Sequence, residues 1–328
     1  MRDTFVQTLE SLLPEHQETV LITGDLGFGV LTAPDDEAQT RFGERHPQHF
    51  INAGVAEQNM TAIAAGMALQ GFKAWTYSIG NFPTLRALEQ IRNDICYHDA
   101  NVTIVAIGGG FSYGQLGMSH FATEDLAIIR ALPNMKVLAP CEKWEVTDLV
   151  TELCATPGPA YLRIDKSHGG VERRDGEQAK IGKARMVRDG SDGTLIACGG
   201  ILSEAMIAAD RLAEQGLSMR ILSMHTIKPL DVDAVLSASR ETGGIVSVEE
   251  HNVIGGLGSA IAETCLSEGT IPSYFHRIGL ADHYPTIVGD QDYLRAQYGM
   301  NADAIVAAVL DKLGDSSEAT VADLVAAQ

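Results

Sequence analysis

Glu57 lies in the first of three segments whose residue types could support catalysis. In residues 50–66 (FINAGVAEQNMTAIAAG), a glycine-containing turn leads into a helix of small residues that begins near Glu57. An isolated acid in the first turn of a helix is most often there because the helix dipole stabilises it. A helix of such small residues can be buried on every side, however, and burial raises the pKa of an unpaired carboxyl group. Glu57 is therefore a candidate proton donor.

The other two segments carry aromatic and histidine side chains. Residues 74–94 place Tyr77 and Phe82 on either side of a flexible S-I-G-N turn. Rings in this arrangement either pack in a core or form a platform for a flat heterocycle. Residues 107–127 form a long glycine-rich loop that carries His120 and leads into a helix. A lone histidine in such a loop is weak evidence of function, so none of the three segments is decisive by itself.

Short apolar runs alternate with longer segments of helical spacing along the chain. We predict buried strands at 19–24, 101–108, 135–139, 160–164, 194–198, 219–223 and 244–249. We predict helices at 55–70, 83–98, 142–155, 201–216, 231–242 and 256–268. Because strand–helix alternation favours parallel sheets with helices on both faces, the predicted fold class is α/β with mostly parallel sheets. Function in such sheets collects in the loops that follow the strands.

A polar, glycine-rich and charged stretch at 167–193 separates two series of strands. We expect a first domain at 1–175, a linker at 176–192 and a second domain at 193–328. The length of 328 residues suits two domains of ~100–200 residues, each with its own core.

The composition is that of an acidic globular protein. Hydrophobic residues make up 45% and charged residues 20%, which argues against disorder. The net charge of -19 repels phosphate backbones and so argues against nucleic acid as a partner. No signal-peptide core and no apolar run near the ~20 residues that span a bilayer are present, so we expect no membrane segment. Five scattered cysteines without a C-x-x-C pair predict free thiols and a cytoplasmic location.

The order and spacing of several motifs resemble the transketolase family, which includes transketolase and 1-deoxyxylulose-5-phosphate synthase. Three segments of this chain resemble motifs of the family's pyrimidine-binding domain. In chain order they are G-V-A-E-Q-N-M-T-A-I-A-A-G, Y-S-(x3)-F-(x3)-R-A-L-E-Q-I-R and G-x-x-H-x-x-x-E-D-L-A. The later segments P-N-M-K-V-L-A-P-C and E-E-H-N-V-I-G-G-L-G-S-A-I-A-E also resemble this family. The resemblance covers roughly residues 1–300. It implies a thiamine-diphosphate-binding fold followed by a transketolase C-terminal-like domain.

The resemblance also implies roles for residues near the cofactor. Glu57 matches the family's catalytic glutamate, whose carboxyl group bonds the pyrimidine ring of thiamine diphosphate and tunes the cofactor's own acid–base chemistry. Phe82 matches the ring that stacks on the pyrimidine, and Tyr77 matches a neighbouring wall of the pocket. His120 matches a histidine that donates to oxygens of the sugar donor. Asp25, in T-G-D-L-G, matches an acidic residue near the cofactor.

Substrate-binding positions both agree with and depart from the family pattern. Arg2 and Lys166 match positions of phosphate-binding arginines, and Arg163 lies close enough in sequence to share that task. Transketolase has an aspartate where this chain has Leu116 and a histidine where it has Gly108. These two losses argue against ordinary pentose-phosphate exchange. They indicate ketol transfer on a different or less phosphorylated substrate.

The family's site for Mg²⁺ and the cofactor's diphosphate has no counterpart in this sequence. Family members use G-D-G followed by asparagine ligands, and S-D-G at 191–193 lacks that downstream partner. The resemblance therefore implies that a separate N-terminal transketolase-like subunit supplies the Mg²⁺ ligands. The expected assembly is α2β2 with contact between the β subunits. This chain would be the β-type subunit, moving a two-carbon ketol unit from a ketose to an aldehyde-type acceptor.

The sequence leaves three other functions open. The chain could be the β subunit of a 2-oxoacid dehydrogenase E1, which decarboxylates its substrate. It could instead catalyse a condensation like that of deoxyxylulose-phosphate synthase, which also begins with pyruvate. A non-catalytic homologue that only binds partners is the third possibility, and retention of Glu57 and His120 argues against it.

Overall fold

The computed structural model describes residues 1–27, 31 and 41–326, with side chains as far as Gly314. The strands within these residues, in chain order, are β1 (Thr19–Thr23), β2 (Phe50–Asn52), β3 (Lys73–Ile79), β4 (Val102–Ile107), β5 (Lys136–Leu138), β6 (Ala160–Ile164), β7 (Arg185–Arg188), β8 (Gly193–Cys198), β9 (Met219–Ser223), β10 (Thr226–Lys228), β11 (Ile245–Asn252) and β12 (Phe275–Leu280).

The helices are mostly inserted between these strands, as expected for an α/β fold. They are α1 (Arg2–Leu12), α2 (Phe42–Arg45), α3 (Glu57–Leu69), α4 (Leu88–Gln90), α5 (Asp125–Arg130), α6 (Lys143–Ala155), α7 (Leu202–Ala213), α8 (Val232–Glu241), α9 (Leu257–Ser267), α10 (Gln291–Gln297) and α11 (Ala302–Ala326). The helix predicted at 83–98 is irregular. It starts with a 3₁₀ turn at Leu85–Ala87 and, after α4, ends in a π-helical segment at Ile91–Cys96.

The strands form two sheets. The first has the order β10-β5-β6-β4-β3-β1-β2 and is parallel except for β10. The second has the order β12-β11-β8-β9-β7 and is parallel except for β7. The predicted fold class, α/β with mostly parallel sheets flanked by helices, is confirmed.

Every predicted strand is present within a few residues, but β2, β3, β7, β10 and β12 escaped prediction. Strand β3 was interpreted as aromatic residues around a loop, yet it lies in the middle of the first sheet with six of its seven residues buried. Strand β7 lies inside the stretch expected as the linker, 176–192, where it pairs with β9. Strands of three or four residues carry too few side chains for a readable pattern.

The two sheets are closely joined. Strand β10 follows β9 of the second sheet but pairs with β5 at the edge of the first. Phe111 and Phe121, from the loop between β4 and α5, pack in the core of the second domain with Leu294. The long loop that carries His120 is therefore held by both halves of the chain.

All five cysteines, at positions 96, 141, 154, 198 and 265, are buried and free, which confirms the prediction of free thiols. No helix among the described residues is long and apolar enough to cross a membrane. The cytoplasmic location stays a prediction.

Candidate active site

Glu57 is the first residue of α3, at the carboxyl edge of the first sheet. The chain turns from β2 into this helix through Gly54, whose φ of 75° is in the left-handed region. The side-chain oxygen of Asn52 accepts a hydrogen bond of 3.0 Å from the Gly54 backbone N–H and fixes the turn. Buried Ala64 and Ala65 let α3 pack closely on the sheet. The Glu57 side chain is only 6% exposed, as the composition of this helix predicted.

Arg86 connects Glu57 to Phe82. Its Nη1 lies 3.2 Å from Oε1 and 3.3 Å from Oε2 of Glu57. The guanidinium carbon lies 4.2 Å from the centroid of the Phe82 ring, within the range of a cation–π contact. A cleft of about 410 Å³ opens beside this group and is lined by Val55, Ala56, Glu57, Gln58, Asn59 and Arg86.

His120 lies next to Phe82. The two ring centroids are 5.2 Å apart and the rings meet edge to face. The Nδ1 atom of His120 lies 3.0 Å from Oγ of Ser119. Burial lowers the pKa of His120, and the charge of Arg86 lowers it further. The imidazole is therefore neutral near neutral pH, with one N–H to donate and one nitrogen to accept.

The loop that presents His120 is closed on itself before it reaches α5. Gly110 and Ala122 exchange backbone hydrogen bonds of 2.8 and 3.0 Å, so the intervening residues return to their starting point. The buried side chains of Phe111 and Phe121 anchor both arms of this closure. His120 therefore lies near the end of a short loop that these contacts hold in place.

Tyr113 and two cations continue the site beyond His120. The Tyr113 ring centroid lies 6.3 Å from that of His120, and Nζ of Lys166 lies 3.8 Å from the Tyr113 ring centroid. Burial lowers the pKa of Lys166, and the neighbouring charge of Arg2 lowers it further. The two cations predicted from distant parts of the chain are therefore neighbours. We call the continuous set of contacts Glu57–Arg86–Phe82–His120–Tyr113–Lys166 the site row.

Tyr113 also accounts for the glycine at position 108. Gly108 has a φ of 87°, and a Cβ atom there would lie 2.2 Å from a carbon of the Tyr113 ring. A histidine at this position would collide with that ring. Leu116, the other departure from the family pattern, is 55% exposed on the same loop. The two departures are thus a glycine packed against a tyrosine ring and an exposed apolar side chain.

Two predicted site residues lie in the interior. Tyr77 is 2% exposed and stacks on Phe5, with ring centroids 6.1 Å apart. Arg163 is 3% exposed and lies 3.7 Å from an oxygen of Asp125 and 3.5 Å from one of Asp165. A guanidinium buried between two carboxylates is not accessible to a substrate phosphate. The expectation that Arg163 shares phosphate binding is therefore corrected, since this side chain joins buried elements instead.

Asp25 takes part in the local structure of the turn that follows β1. Asp25 is exposed, has a φ of 59°, and accepts a hydrogen bond of 2.9 Å from the Asn52 side chain. Within the described residues, no group of three or more His, Cys, Asp or Glu side chains could hold a metal ion.

Arg86 and Tyr113 are the site residues that the sequence analysis missed. Arg86 follows Phe82 by four residues, so a helical interpretation of this segment could have paired the two side chains. Tyr113 offered no comparable signal, because its position depends on how the glycine-rich loop folds back over Gly108.

Two family profiles together account for most of the chain. The profile described as the transketolase pyrimidine binding domain matches residues 1–170, and that of the transketolase C-terminal domain matches residues 182–305. The chain belongs to the transketolase family. The resemblance stated from the motifs is thereby confirmed.

Relatives of this transketolase-family chain align with it from end to end. It is 35% identical to one of the subunits of apulose-4-phosphate transketolase from Phocaeicola vulgatus, over 94% of this chain and 96% of that protein. It is 34% identical to the SqwH subunit of 6-deoxy-6-sulfo-D-fructose transketolase from Clostridium sp., over 94% and 92%. A solved structure described as "Split gene transketolase, inactive beta4 tetramer" superimposes with a TM-score of 0.82 at 32% identity, covering 95% of this chain and 97% of that one.

Proposed function

We propose that this chain is the β-type subunit of a split, thiamine-diphosphate-dependent transketolase. In this role it takes part in moving a two-carbon ketol unit from a ketose donor to an aldehyde-type acceptor. Two relatives that align over more than nine-tenths of their length are named as transketolase subunits. The observation that carries the proposal is the buried Glu57 carboxyl group at a cleft, with the Phe82 ring and His120 beside it.

The residues of the site row fit the pyrimidine end of thiamine diphosphate. A flat aminopyrimidine ring needs an acid at its ring nitrogen and an aromatic face to stack on. Glu57 offers the acid at the cleft and Phe82 offers the aromatic face, with Arg86 between them. The amides of Gln58 and Asn59 line the same cleft. When bound, thiamine diphosphate supplies the electron sink for breaking and forming a bond next to a carbonyl carbon.

The chain's own side chains then have separate tasks. Glu57 holds a proton at the pyrimidine nitrogen, and Phe82 covers the ring and excludes water. Neutral His120 donates its N–H to an oxygen of the sugar donor, where negative charge develops. Lys166 and Arg2 attract an anionic group at the far end of the sugar. The names of the relatives, which include a phosphate and a sulfonate sugar, support a substrate with such an end.

We further propose that a separate N-terminal transketolase-like subunit holds the diphosphate and Mg²⁺, in an α2β2 assembly with β–β contact. The similar structure of a split-gene transketolase is described as an inactive β4 tetramer, which supports the need for a second kind of subunit. Within this subunit, we propose 1–175 as the pyrimidine-binding domain and 193–328 as the C-terminal domain, with 176–192 between them.

The decisive variant is Glu57→Gln in the complex with its partner subunit. We expect the rate of two-carbon transfer to fall ~10²-fold or more, because the amide removes the acid–base function of Glu57. The measurement is kcat for ketol transfer with a panel of anionic ketoses and aldehydes, including xylulose 5-phosphate with ribose 5-phosphate. Glu268→Gln, on an exposed part of the second domain, serves as the matched control. Wild-type turnover by Glu57→Gln would contradict the proposal.

Carbon dioxide release separates the transketolase proposal from both decarboxylating alternatives. A 2-oxoacid dehydrogenase E1 and a deoxyxylulose-phosphate-synthase-like enzyme both release carbon dioxide from a 2-oxoacid such as pyruvate. We expect the complex to transfer ketol units without that release. Release of carbon dioxide at the turnover rate would favour the alternatives, and turnover of no substrate with cofactor and partner saturating would favour the non-catalytic homologue.

A further inference from the structure

Arg86 occupies the space between the two groups that the proposed function assigns to the cofactor's pyrimidine ring. One guanidinium nitrogen contacts both oxygens of Glu57, at 3.2 and 3.3 Å. The same guanidinium lies over the Phe82 ring at 4.2 Å. A pyrimidine that stacks on Phe82 and bonds Glu57 needs both of these surfaces. The arginine and the ring therefore compete for one position.

The contact between Arg86 and Glu57 is suited to exchange. A single nitrogen is shared between two oxygens at distances longer than the ~2.7–2.9 Å of a strong charge-assisted bond. The Arg86 side chain is 52% exposed, whereas that of Glu57 is 6% exposed. Arg86 can thus rotate into water at little cost. Glu57 stays in place and needs a new partner when the arginine leaves.

Other charged groups surround α3 without reaching the Glu57 carboxyl group. On the elements packed against this helix and in the loops at its start, they are Asp25, Lys73, Glu89, Arg92, Asp94 and His120. Lys73 donates to Asn101, and Arg92 donates to Asn93. Among the described residues, Arg86 is the cation that pairs with Glu57. A ligand that bonds the Glu57 carboxyl group must therefore displace Arg86.

We propose that Arg86 is a positioning residue that occupies the pyrimidine site of the cofactor-free subunit and holds the Glu57 side chain in place until the cofactor enters. Entry of the cofactor moves Arg86 toward solvent. This inference rests on the proposed function, since it requires Glu57 and Phe82 to be the pyrimidine site.

Removal of the arginine has a defined consequence for binding. Without Arg86, the buried Glu57 carboxyl group has no cationic partner, and the Phe82 face is open. Pyrimidine binding becomes tighter, because the ring no longer has to displace an ion pair.

The test uses the isolated full-length chain and 4-amino-5-(hydroxymethyl)-2-methylpyrimidine as the probe, so that no partner subunit is needed. Isothermal titration gives the Kd. For Arg86→Met we expect Kd to fall about threefold to fivefold, because the probe no longer has to displace a partly exposed ion pair. Arg86→Lys keeps the charge and should bind the probe nearly as the wild type does.

Two controls separate the role of Arg86 from general effects. Arg92→Met removes an exposed arginine from the same irregular helix and should bind the probe like the wild type. In a Glu57→Gln background, Arg86→Met should tighten binding less than it does alone, because the ion pair is already gone. Circular dichroism melts confirm that each variant is folded.

The outcomes distinguish this inference from the proposed function. Equal or weaker binding by Arg86→Met, with Glu57→Gln still weakening the binding, would overturn the role of Arg86 while leaving Glu57 and Phe82 as the pyrimidine site. Binding that is unaffected by Glu57→Gln, or no binding by any variant, would overturn the pyrimidine site itself and the inference with it.

Discussion

Tyr113 shows how one side chain determines which residues its neighbours can be. Its ring fills the volume above Gly108, contacts Lys166 and faces His120. Position 108 can therefore hold only a residue without a side chain, and the Tyr113 ring lies against a cation. The shape of this end of the site row depends on packing as well as on charge.

Gly108→Ala should lower the free energy of unfolding by about 2–4 kcal/mol. Part of this loss is the strain of a positive φ, about 1–3 kcal/mol, and part is displacement of the Tyr113 ring. Gly71→Ala is the matched control, because Gly71 has a φ of 95° but no atom within 4 Å of its would-be Cβ. Urea unfolding measures both. Equal losses in the two variants would show that Tyr113 does not pack on Gly108.

Strand β10 is the element that joins the two halves of the molecule. It follows directly from β9 through Met224 and His225, and the carbonyl of His225 accepts a 2.8 Å hydrogen bond from Ala139 beyond β5. The His225 side chain is 1% exposed. Burial lowers the pKa of His225 to about 4. This junction therefore has an ionisable group that folds in its neutral form.

His225 should make the junction sensitive to acid. Its pKa is lower in the folded state than the 6.5 of an unperturbed histidine, so the unfolded chain binds more protons. The contribution of neutral His225 to the free energy of unfolding is present above pH 6.5 and is lost as the pH falls toward about 4. The free energy of unfolding of His225→Gln should depend less on pH over this window than that of the wild type. His283→Gln, at an exposed position, should not change the slope, and equal slopes in all three would contradict the prediction.

Buried charged side chains connect the glycine-rich loop to the second half of the molecule. Glu250 on β11 accepts hydrogen bonds from the backbone N–H of Phe111 at 2.5 Å and from the Gln291 side chain at 2.8 Å. It also pairs with Arg295, and the two side chains are 2% and 1% exposed. The motif E-E-H-N-V-I-G-G-L-G-S thus serves to dock the second domain on the loop that carries His120.

Glu250→Ala should lower the free energy of unfolding by about 3 kcal/mol or more, because it removes the nearest carboxylate partner of a buried arginine. Glu263→Ala is the control. Its exposed pair with Arg130, at 2.8 and 2.9 Å, should contribute less than about 1 kcal/mol. Urea unfolding compares the two. A loss for Glu250→Ala no larger than for Glu263→Ala would show that this contact does not hold the domains together.

The sequence by itself determined the α/β class, the family and the positions of Glu57, Phe82 and His120, because each depends on a local pattern of apolar runs, small residues and glycines. Tertiary structure decided which side chains meet. Tyr77 lies on a strand buried on both faces, so no alternation of apolar and polar residues shows which way its side chain points. Arg163 and Asp125 form a buried pair, and Arg86 and Tyr113 enter the site row, only because distant segments pack together. Contacts of that kind depend on packing in three dimensions, which residue spacing does not contain.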